Sequence, residues 1–130
     1  MWLALQRTAR TVLLLLAAVA GCSQSDLIPV TGTATWKGEP MPSGEAIFFP
    51  KDPGVAPSAG RIKDGKFEFL SKAGKMRVEI EAARYTGERD PVEGFLITEL
   101  YIPARYNKQS ELEVEVTPDG ENHFEFKLTE

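Results

Sequence analysis

Polar and apolar positions alternate with a period of two along most of this chain, and no window carries a convincing helical repeat. Val30, Gly32, Ala34 and Trp36 alternate with Thr31, Thr33 and Thr35, which predicts a half-buried strand rich in β-branched residues. Lys37-Gly38-Glu39-Pro40 turns the chain, Met41-Pro42-Ser43-Gly44 follows, and Ala46 to Phe49 forms a short apolar strand ended by Pro50. Lys51 to Ser58, with Pro53, Gly54 and Pro57, reads as a loop. Ala59 to Ile62 and Lys66 to Leu70 flank Lys63-Asp64-Gly65, a strong hairpin-turn signal. After Gly74, Met76, Val78, Ile80 and Ala82 point one way, and Arg77, Glu79 and Glu81 the other. Leu112, Val114 and Val116 alternate with Glu111, Glu113 and Glu115. Beyond a turn at Thr117-Pro118-Asp119-Gly120, Phe124, Phe126 and Leu128 alternate with His123, Glu125 and Lys127.

About seven short strands with regularly spaced turns predict an all-β fold, an antiparallel two-sheet sandwich of the immunoglobulin-like kind. The apolar stripes supply large side chains at roughly 1.5–3 kcal/mol each when buried. One segment departs from the pattern. Thr86 to Ser110 lies between clear strands and exceeds the roughly 12–15 residues at which structureless loops become uncommon. Gly87 to Pro91 is polar and reads as a mobile loop. Phe95-Leu96-Ile97 and Leu100-Tyr101-Ile102 are apolar enough to pack on the sandwich.

Composition narrows the chemistry. One Cys forbids an internal disulfide, and one Cys with one His cannot furnish a zinc or iron–sulfur ligand set. A net charge of −4 argues against nucleic acid. The first 21 residues read as a processing signal. Arg7 and Arg10 precede an apolar run from Thr11 to Ala20, too short for a span of about 20 residues but suited to a signal core of roughly 7–15.

Val19-Ala20-Gly21-Cys22 resembles the lipobox of bacterial lipoproteins, in which the cysteine becomes the acylated N-terminus. That resemblance implies a signal peptide over 1–21, a lipidated end and short tether over 22–28, and a β-sandwich domain over 29–130. Removing the leader leaves 13 cations against 19 anions, a net charge of −6. The domain then sits in the periplasm or at the cell surface, held to a membrane by lipid at Cys22. Two or more acyl chains anchor stably where one is marginal.

Val30-Thr31-Gly32-Thr33-Ala34 through Pro40, followed by Ala46-Ile47-Phe48-Phe49, is similar to the opening of carboxypeptidase regulatory-like domains. Asp64-Gly65-Lys66-Phe67 and Gly74-Lys75-Met76-Arg77-Val78 match two later elements, with Met76 where an aromatic is usual. Ile102-Pro103-Ala104-Arg105-Tyr106-Asn107, the Glu-rich strand and Asn122-His123-Phe124-Glu125-Phe126 resemble small envelope lipoproteins of planctomycete bacteria. The resemblance implies a prealbumin-like sandwich at the cell envelope. It brings no established activity and no catalytic residues.

The chemical candidates are few. Glu111, Glu113 and Glu115 fall on a solvated strand face, and Asp52, Asp64 and Asp119 are turn acids beside glycines. His123 has no Ser or Asp constellation around it, and no metal or other cofactor is expected. A Lys37–Asn122 isopeptide bond is a remote alternative, because Lys37 reads as a turn residue. Tyr101, Arg105, Tyr106 and Asn107 are the best binding candidates, with Arg84 and Tyr85 as neighbours, since aromatics and Arg anchor interfaces and stack on sugars. The competing reading has Tyr106 plugging one end of the sandwich and Asn107 capping a turn. The chain is therefore expected to be a lipid-anchored, non-catalytic binding or structural module facing an envelope protein or polysaccharide. A carbohydrate-binding accessory role through Tyr101 and Tyr106 is the alternative, and a hydrolase is a weaker one.

Overall fold

The structure, a computed structural model, describes residues 26–130. The leader and Cys22 lie outside the described residues. The described residues are all-β, with ten strands: β1 (Ile28–Trp36), β2 (Glu39–Pro40), β3 (Ser43–Pro50), β4 (Ser58–Lys63), β5 (Lys66–Ser71), β6 (Gly74–Glu81), β7 (Ala83–Arg89), β8 (Leu96–Leu100), β9 (Glu113–Val116) and β10 (His123–Leu128). A single 3-10 turn covers Ala104–Tyr106.

One curled sheet runs β10-β1-β5-β4-β3-β6-β9, with β2 attached to β1, while β7 and β8 form a separate two-stranded ribbon. β4 and β5 are paired only at Lys63 and Lys66, beside their turn. Beyond that turn they diverge, so that β10-β1-β5 faces β4-β3-β6-β9 across the core. Asp64 (φ 51°) and Gly65 (φ 76°) both adopt left-handed backbone, the primed hairpin geometry expected of Asp-Gly. Every pairing is antiparallel except one. β10 runs parallel to β1, from Thr31 beside His123 to Trp36 beside Leu128.

Phe48 fills the centre, fully buried, with ring centroids of Phe69, Phe124, Phe126 and Phe67 at 4.9, 5.8, 6.4 and 6.5 Å. Those four rings come from β5 and β10, so Phe48 on β3 joins the two layers. Gly32 makes the arrangement possible, because a Cβ there would lie 2.1 Å from Phe67 Cζ and 2.3 Å from the Phe124 carbonyl oxygen. Met41, in the stretch between turns, is also fully buried. Its amide donates to Ala34 O at 3.1 Å and its carbonyl accepts from Gly65 at 2.7 Å.

Glu79 points away from Met76 and Val78, yet it is 8% exposed and paired with Arg77 at 2.5 Å. Residues 103–112 explain this by running along the free margin of β6. Val78 donates to Leu112 O at 2.8 Å, its carbonyl accepts from the Ser110 hydroxyl, and Arg77 reaches Asn107 O at 3.4 Å. One expectation needs correcting: Gly87 to Pro91 is not a loop throughout. β7 continues to Arg89, and the Asp90 carboxylate then accepts the amides of Val92 and Glu93 at 2.8 and 2.7 Å to shape the tip.

Candidate functional site

Strand direction decides which residues can meet. β1 leaves Ile28 at one pole and reaches Trp36 at the other, roughly 26 Å away at 3.3 Å per residue. Around Trp36 lie the start of β3, the end of β6, the base of the β7–β8 ribbon and the end of β10. The opposite pole holds Ile28 beside Ser71, Pro50 beside Met76, and Gly74 beside Val116.

A groove of about 490 Å³ opens at the Trp36 pole, lined by Trp36, Pro42, Ser43, Arg84, Tyr85 and Tyr101 together with Ala83. Tyr101 meets Trp36 edge to face at 5.8 Å. Arg84 lies over the Tyr101 ring at 5.4 Å, and its Nε donates to Glu99 at 2.8 Å. Lys37 sits 5.5 Å from the centre of the Trp36 ring and pairs with Glu130. Tyr85 is the open side of the groove, 68% exposed.

Tyr101 and Tyr106 are each half-buried against the core, with different neighbours. The Tyr106 hydroxyl accepts the Thr129 amide at 3.0 Å and lies 3.4 Å from the Thr129 hydroxyl, while Arg105 contributes a 3.1 Å bond to it. Thr129 first, then Arg105, holds the phenol below its usual value. Arg105 also donates to Thr129 O at 2.5 Å and stacks on Tyr106 at 4.8 Å. Asn107 is committed to the backbone: its amide reaches Ile102 O and Pro103 O at 3.2 Å and Ile80 O at 3.4 Å. Tyr101, Arg84 and Tyr85 thus come together in the groove. Arg105 and Tyr106 clasp the chain end at the same pole, and Asn107 stitches the β6 margin.

Sequence reasoning missed Trp36, Pro42 and Ser43 as part of a site. Trp36 ends an alternating strand and carries no separate signal there; only its position at a sheet pole beside the ribbon reveals it.

Other candidates resolve into structural duties. His123 Nδ1 is 2.8 Å from the Thr31 hydroxyl, beside a depression of about 580 Å³ that also touches Arg61, Lys63 and Lys66. Asn122 binds Thr117 and Gly120, and its carbonyl accepts Thr31 N; Lys37 lies beyond the far end of the same strand, so no isopeptide can form. Glu113 pairs with Lys51, and Glu130 with Lys37; in both the ammonium hydrogen bond, then its charge, lowers the carboxyl value. No group of three metal-ligating side chains occurs among the described residues, and none of their helices is long and apolar enough to cross a membrane.

No family model, no curated protein and no solved structure matches this chain. The class the fold defines is an all-β domain of two facing layers with a projecting ribbon.

Proposed function

We propose that this chain is a lipid-anchored cell-envelope module that binds or scaffolds a partner and carries out no catalysis. The reading rests on the lipobox-like Val19-Ala20-Gly21-Cys22 and, in the folded part, on one observation: the aromatic groove lies at the pole opposite the chain's entry at Ile28. Acylation at Cys22 leaves a tether of Ser23 to Leu27, at most about 17 Å when extended. The Ile28 pole then faces the membrane, and Trp36, Tyr85 and Tyr101 face away from it. A mature charge of −6 is mildly repelled by anionic headgroups, so the lipid and not the domain surface provides the attachment.

The non-catalytic part draws on how the polar candidates are occupied. Asn107 and Asn122 hold backbone groups, and His123 contacts Thr31. A carbohydrate is the kind of ligand favoured by the groove's rings Trp36, Tyr85 and Tyr101; Tyr106, coupled with Tyr101 in the sequence reading, lies outside the groove against Thr129.

Metabolic acyl labelling and membrane fractionation of wild type against Cys22→Ala test the anchor. Wild type should label and sediment with membranes, and the variant should do neither. Unchanged labelling in the variant would refute the proposal.

A further inference from the structure

We infer that the groove between Trp36, Tyr85 and Tyr101 binds a carboxylate-bearing oligosaccharide, a uronic-acid glycan, with Arg84 receiving the carboxylate. The inference deepens the anchored-module reading and rests on it. A pyranose ring has an apolar C–H face that packs on an aromatic plane and a rim of hydroxyls that needs polar partners. The groove offers both, with exposed Tyr85 as the open plane, Trp36 and Tyr101 as apolar walls, and the Ser43 hydroxyl and Arg84 guanidinium as partners.

Charge selects the acidic class of sugar. Arg84 uses only Nε on Glu99, and its two terminal nitrogens have no hydrogen-bond partner among the described residues. That leaves the forked geometry suited to a carboxylate. Arg84 is the one charged side chain among the groove's lining residues. A proline-rich peptide could use the rings but would leave the Arg84 fork without a role.

Cys22 itself fails as an occupant on distance. The tether of the mature chain reaches about 17 Å from the Ile28 pole, and the groove is roughly 26 Å from it.

The test uses the full lipidated chain in detergent micelles, titrated calorimetrically with trigalacturonate, neutral cellotriose and a polyproline peptide. Trigalacturonate should bind more tightly than cellotriose. Tyr85→Ala should weaken it by roughly fivefold to tenfold, the scale of one stacked ring. Arg84→Gln should abolish the preference for the acidic sugar, and Leu70→Ala, on the outer face of β5, should change neither affinity. Tyr85 and Arg84 are exposed, so thermal melts should match wild type and loss of binding cannot be loss of fold.

Absence of trigalacturonate binding, indifference to Tyr85→Ala, or preference for polyproline overturns the inference. If the protein also floats with membranes and a photoreactive group at position 85 crosslinks an envelope protein, the glycan is wrong and the anchored-module reading stands. Glycan binding without membrane flotation sustains the groove and removes the anchor.

Discussion

Gly32→Ala and Gly60→Ala make the same chemical change in two sheet strands, and the structure separates their costs. At Gly32 the new methyl meets Phe67 Cζ at 2.1 Å and Phe124 O at 2.3 Å. Phe67 is 4% exposed and stacks on Phe126 at 5.9 Å, so its ring has little room to retreat. The carbonyl belongs to β10, whose ladder with β1 places Gly32 opposite Phe124, so relief requires the two strands to part. Overpacking of this kind costs about 1–3 kcal/mol, and disturbing a ladder hydrogen bond adds about 1. Reduced freedom of the unfolded chain returns about 0.4–1 kcal/mol. The net expectation for Gly32→Ala is a loss of about 2 kcal/mol.

At Gly60 the three nearest atoms all belong to the half-buried Phe69 side chain, with Cδ1 at 2.4 Å, Cγ at 3.0 Å and Cβ at 3.1 Å, and none of the three is backbone. Turning the Phe69 ring relieves the closest contact, and the expected loss is about 1 kcal/mol. Urea unfolding followed by far-UV circular dichroism measures both. Adding Phe67→Leu to Gly32→Ala should recover only part of the loss, since the Phe124 carbonyl remains. A Gly32→Ala cost equal to or below that of Gly60→Ala would show that the β1–β10 contact is not as close as described.

Three further outcomes follow from the geometry. Arg77→Met leaves the Glu79 carboxylate without its ion-pair partner and should cost about 2 kcal/mol, discounted because Arg77 is partly exposed; Arg77→Met/Glu79→Leu should recover most of it in a double-mutant cycle. Asn107→Ala removes the amide bridging three carbonyls and should cost about 1–2 kcal/mol, with faster hydrogen exchange confined to residues 103–112 and the β6 margin. Absorbance titration should find the Tyr106 phenol ionising below the usual tyrosine value of 10.0, and Thr129→Val should move it upward. A lowered folded value stabilises the phenolate, so this contribution to stability appears as pH rises through the folded value and is complete above the unfolded one. A Tyr106 titration unmoved by Thr129→Val would remove the Thr129 hydroxyl as its cause.

The strands with clean alternation were legible because one face meets a core and the other meets water. That holds for β1, for β10, and for the Glu-rich stretch whose Glu111, Glu113 and Glu115 remain exposed. Glu79 broke the rule because a non-strand segment covers its face, and no local pattern announces a cover supplied from 30 residues away. The apolar stretch after Thr86 was legible only in part. Ile102 is buried and Tyr101 packs on the core, but Phe95 is 53% and Leu100 71% exposed on the ribbon. Hydrophobicity there marked a surface that no other part of the described chain covers. The groove was hidden for a topological reason: Trp36, Ser43 and Tyr85 are far apart in sequence and meet only because three strands end at one pole.

The parallel pairing of the first and last long strands has a mechanical consequence. A load applied between the N-terminal end of β1 and the C-terminal end of β10 pulls along the axis they share. The six residue pairs from Thr31–His123 to Trp36–Leu128 then slide past one another in shear, and their hydrogen bonds share the load. An antiparallel arrangement of these two ends would open like a zipper, one bond at a time, at much lower force. Loaded through these two ends, the domain is built to yield late.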